Sequence, residues 1–144
     1  MAWPALMSTG MCPVTAFRVN AITERVIGAA IRVHRALGPG LLESVYLACL
    51  LHELRGAGLS VRTQFPVPVH YQDVRLDCGY RVDAIVEDLV IVEVKAVGQL
   101  APIHEAQLLT YLRLSGRPVG LVINFNTKLL TGGIRRVVNG LLEG

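Results

Sequence analysis

The stretch Tyr80-Arg81-Val82-Asp83-Ala84-Ile85-Val86-Glu87-Asp88-Leu89-Val90-Ile91-Val92-Glu93-Val94-Lys95 decides the fold. It reads as two apolar strands joined by a tight acidic turn. Strands covered on both faces are near-continuous Val and Ile. Here an Asp interrupts the first strand, and a Glu and a Lys interrupt the second. Ionisable groups in such strands cost free energy unless they are paired or bind a metal. Side chains alternate along a strand, so Glu93 and Lys95 share a face, as do Arg81, Asp83 and Ile85. Asp83 falls opposite Glu93 only if the connection has odd length. A two-residue turn at Glu87-Asp88 would send them to opposite faces. The parity therefore predicts a three-residue loop, Glu87-Asp88-Leu89, or a bulge, with Asp83, Glu93 and Lys95 converging on one face.

Upstream, Val26, Ile27, Ala30, Ile31, Val33 and Leu37 form an apolar stripe. The stripe predicts a helix capped by Asn20 or Thr23 and running to about Leu37. Gly38-Pro39-Gly40 breaks it. A second helix is expected from Leu41 to about Arg55, with Leu42, Val45, Leu47, Leu50, Leu51 and Leu54 toward the core. Residues alternate from Leu59 to Leu76, with a turn at Gln72-Asp73. Pro66 and Pro68 point to an edge strand or a bulge. Downstream, Pro102 suits the first turn of a helix running to about Leu114, and Gly116-Arg117-Pro118 stops it. Val119 to Phe125 reads as a buried strand, and Ile134 to Val138 as a last, edge strand. An antiparallel meander followed by a helical crossover gives an α/β fold, a mixed sheet with helices packed on it.

A chain of 144 residues suits one domain with a real core. The expected organisation is an N-terminal extension over residues 1–20 and one domain over residues 21–144. The first 19 residues, with Trp3, Pro4, Met7, Met11 and Pro13, lack the basic and apolar regions of a signal peptide. Hydrophobic content of 52% with 17% charged residues excludes a disordered chain. No apolar run reaches the ~18 residues that span a bilayer, so no membrane partner is expected. A formal net charge of +3 permits a nucleic-acid partner without demanding one. Cys12, Cys49 and Cys78 show neither metal-ligand spacing nor a paired framework, which makes a reducing cytoplasm the expected setting.

Two carboxylates a few ångströms apart repel, and at least one pKa rises. A hard divalent cation relieves that repulsion. Mg²⁺ commonly takes one or two carboxylates plus waters and substrate phosphates, and Mn²⁺ is a substitute. The candidate metal ligands are Asp83, Glu93 and the backbone carbonyl of Val94, with Glu43 supporting a metal or the attacking water. Lys95 would stabilise charge on a phosphate or orient the water. On the third helix His104, Gln107 and Tyr111 fall at i, i+3 and i+7, along one face. Singly, each has a plain reading as a solvated, surface or packing residue. Likewise, Glu43 suits the first helical turn for its charge alone, and Tyr46 suits core packing. The competing reading of the hairpin is a Lys95 ion pair with Glu93 or Asp83 and no chemistry.

These residues resemble a family. Gly40-Leu41-Leu42-Glu43-Ser44-Val45-Tyr46 matches the signature that names the GxxExxY proteins. Its surroundings match too: His34 before Leu37-Gly38-Pro39-Gly40, then Asp83, Glu93-Val94-Lys95, His104-Glu105-Ala106-Gln107 with Tyr111, and Ile123-Asn124-Phe125. The resemblance covers roughly Ile22 to Asn139. That family looks like a compact branch of the PD-(D/E)XK nuclease superfamily. The resemblance implies a restriction-endonuclease-like core of helix, three antiparallel strands, helix and a further strand. It makes Asp83 the first acidic residue, Glu93 and Lys95 the (D/E)XK pair, and Glu43 the first-helix carboxylate. Gln107 and Tyr111 resemble the Gln-x-x-x-Tyr motif of the RecB-like nucleases. Val82 stands where the motif's proline would be.

The function these readings imply is a metal-dependent nuclease, DNA being favoured over RNA. Asp83, Glu93, Lys95 and Glu43 are its expected catalytic residues. Gln107, Tyr111, His34, Tyr46 and His104 are expected to bind nucleic acid or support the site. The alternative is a non-catalytic module of the same fold that binds nucleic acid or a protein. A homodimer or a protein complex is compatible with the small size.

Overall fold

Alternation of small and branched apolar residues sets the architecture. The computed structural model describes residues 12–140, with side chains described from residue 16. The elements in order are α1 (Cys12–Leu37), α2 (Glu43–Gly56), β1 (Val61–Pro66), β2 (Val69–Tyr71), β3 (Val74–Leu76), β4 (Arg81–Val86), β5 (Val90–Lys95), α3 (Pro102–Ser115), β6 (Val119–Asn124) and β7 (Ile134–Val138). A short 3₁₀ turn, Leu130–Gly133, precedes β7. The main sheet has the order β1-β4-β5-β6-β7, and β2 with β3 forms a separate two-stranded ribbon. The pair β5–β6 is parallel; every other pair in the main sheet is antiparallel. Parallel neighbours need a crossover, and α3 supplies it. This is the mixed α/β sheet flanked by helices that the sequence implies.

The two faces of the sheet divide by residue parity. Ala84, Val86, Val90, Val92, Val94, Leu121 and Ile123 pack against Val26, Ala30, Leu50 and Leu54 of α1 and α2. Ile85, Ile91 and Val122 pack against Leu108 and Leu112 of α3. β6 is buried along its whole length. Gly120 in β6 is required by close approach. A Cβ there would come within 2.7 Å of the Leu108 side chain, so glycine lets α3 lie close on the sheet.

Two helix starts differ from the sequence reading. α2 begins at Glu43 and not at Leu41, and Leu42, expected toward the core, is 73% exposed. α1 starts at Cys12 and not at an Asn20 or Thr23 cap. The Thr23 hydroxyl donates to the Asn20 carbonyl at 3.0 Å, the back-bonding of a residue inside a helix. Residues 12–20 of the expected extension are therefore helical, and residues 1–11 lie outside the described residues. β1 is an edge strand, as Pro66 and Pro68 suggest. Its irregularity falls at Gln64, which has a φ of 49°.

Candidate active site

The connection from β4 to β5 holds three residues. Val86 pairs with Val90, Ile85 with Ile91 and Ala84 with Val92, leaving Glu87, Asp88 and Leu89 as the loop. Glu87 and Asp88 both have positive φ, 52° and 58°, as in a type I′ turn. Leu89 is the extra residue. The odd length brings Asp83 opposite Glu93, on the face that also carries Lys95.

Pairing of β4 with β5 stops at Ala84 and Val92, and the carboxylates take over. The Asp83 backbone N–H donates to Glu93 Oε1 at 2.8 Å. The Val94 N–H donates to Asp83 Oδ2 at 2.8 Å. Each acidic side chain thus satisfies a backbone donor of the opposite strand, and the strands splay around them. In a strand the N–H and C=O of one residue point to the same edge. The Val94 carbonyl therefore faces the same gap. Across β4 on the other side, the β1 register brings the strained Gln64 opposite Asp83. Such strain costs free energy and persists only where the surroundings enforce it.

Both carboxylates are half-buried. Burial pushes the Glu93 carboxyl up to about 7, and the charges of Asp83 and Glu43 push the same way, against the Asp83 N–H and Lys95. Burial also raises Asp83, opposed by the Val94 N–H and by Lys95. Lys95 acts on both carboxylates, yet it makes no ion pair within 4.0 Å among the described residues. The lysine ion pair that would have explained the hairpin without chemistry is not formed. Lys95 is half-buried beside the acidic pair, and its ammonium has no carboxylate partner among the described residues.

Two helices reach this end of the sheet from opposite faces. Glu43 opens α2 and is exposed. Its position follows from the loop before it. Gly40 takes a φ of 102°, which suits glycine alone. Tyr46 is fully buried, donates to the Gly38 carbonyl at 2.5 Å and accepts the Leu41 N–H at 3.1 Å. Its ring stacks on Phe125 at 4.7 Å. Gly40, Glu43 and Tyr46 thus work as a turn, a presented carboxylate and an anchor. His34 is another anchor, buried, with Nε2 bonded to the Thr127 carbonyl at 2.7 Å. From the other face, α3 brings Tyr111. Burial raises its hydroxyl pKa, and the charges of Glu93, Tyr80 and Asp83 add to that. Gln107, one turn earlier, is exposed and lines the same groove. His104 stands apart from this set. Its Nδ1 accepts the Ala101 N–H at 3.0 Å and so caps α3.

Two residues to which the sequence assigns no role also shape this site. Asn124, adjacent to Lys95 in the parallel register, is buried, accepts the Val97 N–H and donates to the Val97 carbonyl, both at 3.0 Å. It fixes the chain just after Lys95. The clue was an amide in an otherwise apolar strand. Tyr80 lies against Tyr111, ring centroids 6.1 Å apart, and no periodicity marks it.

Among the described residues, no group of three or more His, Cys, Asp or Glu side chains is placed to hold a metal ion. The donor set is two carboxylates with a carbonyl beside them. That set suits a hard cation that keeps several waters, as Mg²⁺ does. Also among the described residues, no helix is long and apolar enough to cross a membrane.

No curated protein and no solved structure gives a significant match to this chain. A family model, described as the PD-(D/E)XK nuclease superfamily, matches residues 20–137. That span runs from inside α1 to β7 and takes in the whole five-stranded sheet, so the chain belongs to the PD-(D/E)XK nuclease superfamily.

Proposed function

We propose that this protein is a divalent-metal-dependent nuclease that hydrolyses phosphodiester bonds, with DNA as its substrate, and that it is of the GxxExxY type within its superfamily. The observation that carries this reading is the reciprocal insertion of Asp83 and Glu93 between the splayed strands, with the ammonium of Lys95 beside them. Asp83, Glu93 and the Val94 carbonyl would hold Mg²⁺ or Mn²⁺. When bound, the cation supplies Lewis-acid stabilisation of the phosphate and offsets the charge of the acidic pair. Lys95 donates to a phosphate oxygen as negative charge builds on it, or orients the attacking water. Glu43 faces the pair from α2 and accepts a proton from, or orients, that water. Gln107 and Tyr111 offer an amide and a hydroxyl to the nucleic-acid backbone. The GxxExxY assignment is supported by the way Gly40 and Tyr46 hold Glu43 at the head of α2.

The test is cleavage of single- and double-stranded DNA and RNA with Mg²⁺ or Mn²⁺, comparing wild type with Asp83→Ala and Lys95→Ala. Cleavage by wild type alone supports the reading. Calorimetric titration with Mn²⁺ adds a second readout, since binding should require Asp83 and Glu93. If wild type cleaves nothing and binds no metal, the reading fails.

A further inference from the structure

The face of α3 that carries Gln107 and Tyr111 borders a groove of about 380 Å³, lined by Val69, Tyr80, Ile103, Thr110 and Leu114 as well. That volume is at the small end of ligand sites. The groove is open to one side. Tyr80 is 47% exposed and Ile103 64% exposed, unusual for large apolar groups beside a charged site.

The β2–β3 ribbon prolongs the groove. Its register pairs Val69 with Leu76 and Tyr71 with Val74, so these four side chains share one face. His70 and Arg75 point to the other face. Tyr71, Val74 and Leu76 are 64%, 52% and 41% exposed. An apolar ribbon face of this kind, joined through Val69 to an aromatic groove, has no covering element among the described residues.

We infer that this groove and ribbon form a subsite for unpaired nucleobases, which stack on Tyr80 and against Ile103 while the neighbouring phosphate lies at the acidic pair. The inference rests on the nuclease reading for the position of that phosphate. Continuity with the site selects this occupant over another protein. Tyr111 is shared, lining the groove and facing Asp83 and Glu93. A strand leaving the acidic pair on this side runs onto Tyr80. A base offers the flat π-face that an exposed tyrosine accepts, and such stacking tolerates any sequence. A paired duplex keeps its bases inside and cannot use the subsite. The substrate class is therefore single-stranded nucleic acid, or the frayed end or flap of a duplex.

The test separates binding from cleavage. Short oligonucleotides, single-stranded and duplex, each with one 2-aminopurine, are titrated with the full chain in EDTA, in DNA and RNA forms. Wild type should bind the single strand more tightly than the duplex and change the fluorescence of the modified base. Tyr80→Ala should weaken single-strand binding roughly 5- to 150-fold, the range for loss of one stacked base, and abolish the fluorescence change. Tyr80→Phe should retain both. Ile103→Asp, at an exposed helix position, should also weaken binding. Preference for DNA or RNA then identifies the sugar. Duplex binding as tight as single-strand binding, or single-strand binding indifferent to Tyr80→Ala and Ile103→Asp, overturns the subsite. So does self-association through this face, seen as a dimer that Tyr71→Asp dissociates. Tyr80-dependent binding by a protein that cleaves nothing with Mg²⁺ or Mn²⁺ upholds the subsite and sinks only the nuclease reading.

Discussion

Asp83 and Glu93 exchange hydrogen bonds across the hairpin without touching each other's side chains. Glu93 accepts the Asp83 N–H, and Asp83 accepts the N–H of Val94, both at 2.8 Å. The acidic pair is thereby part of the backbone pairing of the sheet. Its geometry depends on strand register before it depends on any side-chain partner.

Register is therefore decisive, and loop length matters only through it. Removing Leu89 leaves Glu87 and Asp88, already in positive φ, as a two-residue turn across which Val86 still pairs with Val90 and Asp83 still lies opposite Glu93. Removing both Leu89 and Val90 makes Val86 pair with Ile91 across the same turn, and every later β5 side chain changes face. Glu93 would then enter the α1–α2 core. We predict that the double deletion abolishes cleavage and metal binding, whereas the Leu89 deletion and Leu89→Ala retain both. Nuclease assays and manganese titration of the three variants decide this. An active double-deletion variant would break the link between register and site.

This parity was legible in the sequence because charges in an apolar strand carry their own phase. The Glu43–Tyr46 pair was legible as a helix start for a similar reason. What was not legible is tertiary or lacks a local signal. Asn20 and Thr23 are cap-type residues that lie inside α1, and nothing local distinguishes them from a helix start. Tyr80 precedes β4 in a loop, and its meeting with Tyr111 depends on how α3 crosses the sheet. The amide of Asn124 has no partner until the chain folds back at Val97. His104 shares a helical phase with Gln107 and Tyr111, but its position at the first turn turns its ring to the Ala101 N–H.

Lys95 carries the next prediction. It is half-buried and forms no ion pair among the described residues, so the fold loses little without it. Lys95→Ala should lower kcat by roughly 10²- to 10³-fold, the effect of losing one transition-state donor, with little change in melting temperature. Lys95→Arg should not restore the rate, because a planar guanidinium does not replace a compact ammonium. A large fall in melting temperature with an unchanged rate would assign Lys95 to structure.

Stability should depend on pH through Glu93. Its carboxyl is raised from 4.5 to about 7 in the folded chain, chiefly by burial and then by Asp83. Between these values the folded protein holds a proton that the unfolded chain has lost. Metal-free stability is then greatest below about pH 4.5 as far as this group decides it, and falls as pH rises through 7, by about 3 kcal/mol at most. Glu93→Gln should flatten this dependence and be more stable than wild type at pH 8 in EDTA. Added Mg²⁺ should raise the wild-type melting temperature at pH 8 and leave Glu93→Gln unmoved. Urea midpoints at pH 5 and pH 8 provide the measurement. A wild-type profile that rises from pH 5 to pH 8 would contradict it.

The close seating of α3 offers a structural test of the same site. In Gly120→Ala the new methyl meets the Leu108 side chain at 2.7 Å, and Leu108 is itself fully packed. Overpacking of this kind costs about 1–3 kcal/mol. Leu108 must give way, and a helix shift that accommodates it carries Gln107 and Tyr111 along. The expected result is a lower urea midpoint together with a raised KM for nucleic acid. An unchanged KM in the destabilised variant would separate helix seating from substrate contact.

Tyr46 tests whether Glu43 acts through its loop. Tyr46→Phe keeps the ring on Phe125 and removes only the hydroxyl. The Gly38 carbonyl and the Leu41 N–H then lose their partner, at a cost of about 1–3 kcal/mol. Glu43 sits two residues beyond Leu41, so a loosened loop moves that carboxylate away from Glu93. Tyr46→Phe should lower kcat at temperatures where the variant remains folded, and Glu43→Gln should lower it too. Because both act on one carboxylate, the double variant should be little worse than Glu43→Gln alone. Fully additive losses in kcat would mean that the hydroxyl and the carboxylate serve the site independently.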